Sequence, residues 1–164
     1  MDVREINSLV LAYIGDCVYE NYIRHFLVSQ GIANVDSLQK SAVKYVSAVA
    51  QCEFIRKMID EKFLSTEEVE IFTRIRNNKN HGHPKNCDIV TYKYATGLEG
   101  LIGYLDLTGQ NERIEEIMKY IVAGGRDFYN RAIMDKILSK YINPSSDIIL
   151  SGCAQGADTL GAEW

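Results

Sequence analysis

Apolar residues recur at helical spacing through the first three quarters of the chain. Within residues 8–30, one apolar stripe follows the 3.6-residue period of a buried helical face: Leu11, Ile14, Val18, Tyr22 and Phe26. Gly31 is placed to end this helix. So many other positions in the stretch are apolar that the helix is predicted to be covered on more than one side, in a domain core or at a subunit interface.

Further helices are predicted downstream, and no alternating strand pattern interrupts them. They cover about residues 36–48, 50–62, 66–76, 88–107 and 111–119. Ser65 and Glu68 form a capping-box signature before the third of these, and Asp88 is a predicted N-cap. Residues 77–86 are rich in Asn, Gly, Lys and His, which predicts an exposed loop. Residues 1–118 are therefore predicted to form an all-α domain.

The pattern changes after residue 118. Residues 120–123 form a short apolar run before two glycines, residues 129–141 read as a helix, and residues 147–150 form a second apolar run. This order predicts a strand, a helix and a strand in residues 119–164. Such a short, incomplete α/β segment has too small a sheet to build a complete core.

Composition places the chain among ordinary globular proteins, with 46% hydrophobic and 24% charged residues. No stretch approaches the roughly 20 apolar residues of a membrane-spanning helix, and the N-terminus lacks the pattern of a signal peptide. The four cysteines are widely separated, as expected in a reducing compartment. A cytoplasmic protein with no membrane partner is predicted.

Any nucleic-acid binding must depend on a local basic patch, because the formal net charge is −4. Residues 71–87 contain no Asp or Glu, and they also include His81 and His83. The candidate RNA-binding residues in this segment are Arg74, Arg76, Asn77, Lys79 and Lys85. Arg and Lys can contact phosphate oxygens and Asn can contact ribose hydroxyls. Taken alone, a solvated run of charges is the better explanation, and the two histidines favour phosphate contact or solvent exposure over a metal site.

Two carboxylates occur in strongly apolar helical stretches. Asp16 follows Gly15 in the first helix, and Glu99 lies among apolar and small residues. A charge in such a place is costly unless it is paired, solvated or bound to a cation. Mg²⁺ takes one or two carboxylates and keeps several waters, so the two acids are candidate metal ligands. Ion pairs with internal Arg or Lys, or solvent exposure at a groove, remain open.

Glu20 lies one turn after Asp16 and shares its helical face. It is a candidate for contacting the metal indirectly, and a solvated helix charge is the favoured alternative.

Four motifs in this order resemble those of mini-ribonuclease III, a branch of the ribonuclease III family. They are LAYIGDCVYE (residues 11–20), YVSA (45–48), RNNK (76–79) with PKN (84–86), and LEGLIGYL (98–105). The resemblance covers residues 4–118. It implies an all-helical ribonuclease III endonuclease domain without a double-stranded RNA-binding domain, acting as a homodimer.

The resemblance also implies a function. Members of the mini-ribonuclease III family hydrolyse phosphodiester bonds in double-stranded RNA with Mg²⁺. Mn²⁺ is a candidate substitute for Mg²⁺. These enzymes mature a stem of the 23S ribosomal RNA precursor, which suggests a ribosomal protein or the pre-ribosome as further context. Carried over by position, Asp16 and Glu99 are the catalytic, metal-binding residues, and the segment from Arg76 to Lys85 contacts RNA.

This chain departs from larger ribonuclease III enzymes at two positions. Those enzymes carry additional acids where this sequence has Ala12 and Thr96. Mini-ribonuclease III resembles this chain in lacking them, and their absence leaves the number of metal ions open. In the loop, the family's more usual small residues are replaced by Asn78, Asn80, His81 and His83.

The tail resembles the opening of a SLOG domain. The resemblance implies a Rossmann-like fold that binds nucleotide-type ligands. The segments that carry this likeness are YIVAGGRDF (residues 120–128) and ILSGCAQGAD (149–158). Only the start of such a domain is present, so a structural or truncated fragment is favoured over a ligand site.

Two alternative functions remain open from sequence. One is a non-catalytic RNA-binding or ribosome-binding protein on the same scaffold, although retention of both Asp16 and Glu99 argues against it. The other is a nucleotide-sensing module that acts through the C-terminal segment.

Overall fold

The computed structural model describes residues 2–79 and 85–123. A short 3-10 helix at Val3–Glu5 is followed by the α-helices α1 Ser8–Ser29, α2 Val35–Val46, α3 Ala48–Asp60, α4 Thr66–Arg76, α5 Ile89–Leu107 and α6 Asn111–Ala123. Within these described ranges no strand occurs, which confirms the all-α class predicted for the first part of the chain. The chain divides into two compact units, with the boundary between Met118 and Lys119.

The helix ends lie close to the positions indicated by the sequence. Ser65 Oγ accepts a hydrogen bond from Glu68 N (3.2 Å) and Glu68 Oε2 accepts one from Ser65 N (2.7 Å), so the predicted capping box is present. Asp88 Oδ2 accepts a hydrogen bond from Thr91 N at 2.9 Å, as expected of an N-cap. Gly31 follows α1 with φ +80°, a conformation that glycine adopts without strain.

Helix α5 is the centre of the first unit. It packs against α1, α3 and α4. Its residues Leu98, Leu101 and Ile102 are fully buried, and nearly every position from Ala95 to Leu105 is inaccessible to solvent. None of the described helices has the combination of length and apolar character that crossing a bilayer requires.

The buried face of α1 differs from the predicted stripe. The buried positions are Leu11, Ala12, Gly15, Tyr19, Ile23 and Leu27. Only Leu11 belongs to both sets, and the other members of the predicted stripe are half-buried. Because apolar residues surround this helix, their periodicity could not determine which side meets α5.

One sequence prediction about the tail is wrong. Residues 120–123 were predicted as a strand, but they form the last turn of α6, which ends at Ala123. A short apolar run is compatible with either structure, and no glycine or proline separates it from the preceding helix. The remainder of the predicted α/β segment, with the SLOG resemblance, lies outside the described residues.

A buried ion pair joins α6 to α4 within the first unit. Arg113 Nε donates to Glu68 Oε1 at 2.8 Å, and Arg113 Nη2 donates to the backbone oxygen of Phe63 at 2.8 Å. Burial alone would raise the pKa of Glu68, but its hydrogen bonds to Arg113 and Ser65 outweigh burial and lower it. The pair therefore stabilises the charged form of a carboxylate that is 6% exposed.

Candidate active site

Helices α1 and α5 come into backbone contact at two glycines. A Cβ atom at Gly15 would lie 1.7 Å from the backbone oxygen of Glu99, and a Cβ atom at Gly103 would lie 2.0 Å from the backbone oxygen of Leu11. Only residues without a side chain permit this approach. Asp16, next to Gly15, is thereby brought to Glu99.

The two carboxylates affect each other electrostatically. Burial, followed by the charge of Asp16, raises the pKa of Glu99 to about 7, and Glu20 adds to the increase. Asp16 is exposed, and partial burial followed by the charge of Glu20 raises its pKa, while Arg24 lowers it. Because Glu99 is the more buried of the two acids, it is the one that their repulsion keeps protonated.

Gln51 of α3 adds a third polar group that sequence analysis missed. Its side chain is 1% exposed, and its Nε2 has no hydrogen-bond partner among the described residues. The amide nevertheless lies near enough to Glu99 to lower the pKa of that carboxylate. A sequence signal existed, because Gln51 occupies the same helical face as the buried Ile55 and Met58.

This donor set suits a divalent cation. Two acids that repel each other gain from a shared positive charge, and a buried amide without a partner gains from a bound water or oxygen ligand. The described residues contain no group of three or more His, Cys, Asp or Glu side chains able to hold a metal. The positions where larger enzymes carry further acids, Ala12 and Thr96, are buried and uncharged.

Glu20 forms an ion pair with Arg24, with 2.5 Å between Oε2 and Nη2. Glu20 also contributes to the potential at both Asp16 and Glu99, and its role toward a metal stays a prediction.

The basic residues at the end of α4 face different ways. Arg74 Nη1 donates to the backbone oxygen of Arg4, whereas Arg76 Nη1 donates to Tyr94 Oη at 3.2 Å. Asn77, Lys79 and Lys85 are exposed. His81 and His83 lie outside the described residues. Arg76, one of the predicted RNA-binding residues, is therefore held against α5 by its hydrogen bond to Tyr94.

Comparison with known proteins identifies the family. The sequence profile of the Ribonuclease III domain matches residues 9–110. The chain belongs to the ribonuclease III family. Mini-ribonuclease 3 from Enterococcus faecalis is 45% identical over 121 residues, covering 74% of this chain and 92% of that protein. Mini-ribonuclease 3 from Streptococcus pneumoniae is 42% identical over 122 residues, covering 74% and 95%.

A solved structure shows the same domain. A crystal structure of a protein from Fusobacterium nucleatum has a TM-score of 0.67 and 32% sequence identity, covering 74% of this chain and 98% of that one. The resemblance to mini-ribonuclease III is thus confirmed, and the chain is a nuclease. The ribonuclease III match includes Asp16, Gln51, Tyr94 and Glu99.

Proposed function

We propose that this chain is an endoribonuclease that hydrolyses phosphodiester bonds in double-stranded RNA, with Asp16 and Glu99 as its metal-binding carboxylates. One observation carries the proposal: in a ribonuclease III domain, the contact between Gly15 and the Glu99 backbone brings two mutually repelling acids to one site. Residues 1–118 form the catalytic domain, and residues 119–164 form a separate segment.

Mg²⁺ is the cation that this donor set favours, because Mg²⁺ prefers oxygen ligands and needs only one or two of them from the protein. Mn²⁺ accepts the same oxygen donors. When bound, the metal lowers the pKa of a water and stabilises charge on the leaving 3′ oxygen. Asp16 and Glu99 hold and orient it. Glu99 must first give up the proton that burial favours. Gln51 Nε2 donates a hydrogen bond to a water or oxygen ligand that completes the site.

The basic segment supplies the RNA contacts. Arg74, Arg76, Asn77, Lys79 and Lys85 contact phosphates and ribose hydroxyls of the duplex. Proteins read A-form RNA mainly through these groups across its shallow minor groove, so this binding requires little base recognition.

A homodimer gives each strand of the duplex its own site. The exposed side of α1 supports this arrangement, because Val10, Tyr13, Ile14 and Cys17 follow helical spacing and leave an apolar surface open. Tyr13 is 76% exposed and Val10 is 48% exposed. A stem of the 23S ribosomal RNA precursor is the substrate, in the cytoplasm and in the context of the pre-ribosome or a ribosomal protein.

Incubation with a long RNA duplex, with and without Mg²⁺, tests the function. Sized products are expected only from duplex RNA and only with metal. Asp16→Asn should abolish cleavage and leave RNA binding nearly unchanged, whereas Asp36→Asn, on the exposed start of α2, should cleave normally. An unchanged cleavage rate in Asp16→Asn would refute its role. Binding without cleavage by the unchanged protein would favour the non-catalytic alternative.

A further inference from the structure

Two arginines from different helices share one aromatic ring. The guanidinium carbon of Arg56 lies 4.5 Å from the ring centroid of Tyr94, and that of Arg76 lies 5.2 Å from the same centroid. Arg76 also donates a hydrogen bond to Tyr94 Oη and lies 5.6 Å from the ring centroid of Phe72. We call Arg56, Arg76 and Tyr94 the guanidinium pair site.

Neither arginine of this site has a carboxylate partner in residues 2–79 or 85–123. The hydrogen-bond acceptors of Arg76 are neutral, Tyr94 Oη and Asn77 Oδ1. By contrast, Arg4, Arg24 and Arg113 each form an ion pair with a glutamate. The two positive charges at the guanidinium pair site are therefore not neutralised there.

Holding two like charges around one ring has an electrostatic cost. A cation–π contact at an exposed site contributes about 0.5–1 kcal/mol, and a nearby like charge opposes it. An anion removes the repulsion. Planar guanidinium groups bind phosphate oxygens through paired hydrogen bonds and remain charged at every physiological pH.

The guanidinium pair site shares two helices with the candidate active site. Tyr94 precedes Glu99 by five residues on α5, about 7.5 Å along the helix axis. Arg56 follows Gln51 by five residues on α3, and Arg76 is the last residue of α4. Helix α3 thus carries Gln51 of the candidate active site and Arg56 of the guanidinium pair site. Helix α5 carries Glu99 of the first and Tyr94 of the second.

We propose that Arg56 and Arg76, held on Tyr94, bind a backbone phosphate of the RNA duplex other than the phosphate that is hydrolysed. This inference rests on the proposed function, and it adds Arg56 and Tyr94 to the RNA-binding surface. A contact of this kind positions the duplex and carries no sequence information.

Duplex RNA binding measured without divalent metal, across a series of salt concentrations, tests the inference. Arg56→Gln should weaken binding about five- to tenfold and reduce the slope of log affinity against log salt by about one, equally for different duplex sequences. Arg56→Lys keeps the charge and should retain most of the slope. The matched control is Lys57→Gln, which removes the same charge one residue away, from a lysine paired with Glu61.

Cleavage kinetics separate a binding role from a structural one. With Mg²⁺ and saturating RNA, kcat of Arg56→Gln should match the unchanged protein while KM rises by the same factor as the loss of affinity. Thermal unfolding should be unaffected, because Arg56 is exposed. An Arg56→Gln salt slope equal to that of Lys57→Gln would overturn the inference alone. Failure of the unchanged protein to bind duplex RNA would overturn the proposed function and this inference together.

Discussion

The backbone oxygen of Glu99 lies against the α-carbon of Gly15, so closely that a methyl group at residue 15 would stand 1.7 Å from it. This contact joins two helices and also joins the two acids of the candidate active site, since Asp16 follows Gly15 directly. Packing and chemistry are therefore determined at the same point of the structure.

Gly15→Ala should destabilise the protein by about 3 kcal/mol or more and abolish cleavage, because the new methyl group meets backbone that cannot move aside. Gly100→Ala is the matched control on α5. The three atoms nearest to its methyl group would all belong to the side chain of Ile75, at 2.6 Å or more. A better helix propensity offsets part of that crowding, so a loss of about 1 kcal/mol is expected. Urea unfolding of both variants measures the difference, and equal losses would contradict it.

Metal binding should strengthen as pH rises through about 7, because Glu99 must lose a proton to bind a cation and its pKa is raised to about 7. The same shift acts on folding without metal. Because the pKa of Glu99 is higher in the folded than in the unfolded protein, the folded state binds more protons between these two values. The metal-free protein should therefore lose stability as pH rises from about 4.5 to 7, by about 1–3 kcal/mol.

Glu99→Gln supplies the control for this pH dependence. It removes the titrating group and should flatten the metal-free stability profile between those pH values, while abolishing cleavage. Chemical unfolding over a pH series and calorimetric titration with Mg²⁺ are the measurements. A profile for Glu99→Gln as steep as that of the unchanged protein would assign the effect to another group.

Gln51→Leu should change metal binding and folding in opposite directions. Removing a buried amide without a partner should leave the metal-free protein as stable as before, or about 1 kcal/mol more stable. Loss of the donor should weaken the binding of Mg²⁺ and of Mn²⁺ about tenfold or more, as expected of a residue that orients metal ligands. Thermal unfolding without metal and Mn²⁺ titration test both parts. Lower metal-free stability with unchanged Mn²⁺ affinity would mean that Gln51 is only a packing residue.

Arg113→Gln should lower stability near neutral pH by about 3 kcal/mol, because it leaves the buried Glu68 without its cation. The pKa of Glu68 is lowered in the folded state, so the pair stabilises the protein above the unfolded pKa of about 4.3 and loses this effect as pH falls through the folded value. The difference between variant and unchanged protein should therefore shrink in acid. A difference independent of pH would exclude the ion pair as its cause.

Tyr13→Asp should dissociate the proposed homodimer and reduce cleavage while leaving the monomer folded, because Tyr13 is exposed and a charge there opposes an apolar interface. Sedimentation velocity would follow the oligomeric state. Val43→Asp, on an exposed position of α2, is the control that should remain dimeric. Monomers in the unchanged protein at every concentration would refute the dimer.

Much of this fold was accessible from sequence because its helices carry clear local signals. The capping residues Ser65 and Asp88 and the terminating Gly31 act on their own neighbours, so their effects need no knowledge of tertiary structure. The rotation of α1 was not accessible, because apolar residues on all its sides left the choice to its contacts with α5. Residues 120–123 were misassigned since a short apolar run suits strand and helix alike.

The site divides in the same way. Asp16 and Glu99 are predicted from sequence because acids in apolar helices are unusual and because the resemblance to mini-ribonuclease III implies their roles. Gln51 and the guanidinium pair site were missed, because each depends on a meeting of separate helices that no local pattern records. The significance of the Gln51 amide lies in its burial near Glu99 without a hydrogen-bond partner among the described residues.

Helix α5 carries Glu99 and Tyr94 and packs against three other α-helices, so it supports the candidate active site and also forms the centre of the domain. Its amides should be among the last to exchange with deuterium, since they open only when the whole unit unfolds. A substitution on the buried part of this helix is therefore expected to disturb folding and the candidate site together.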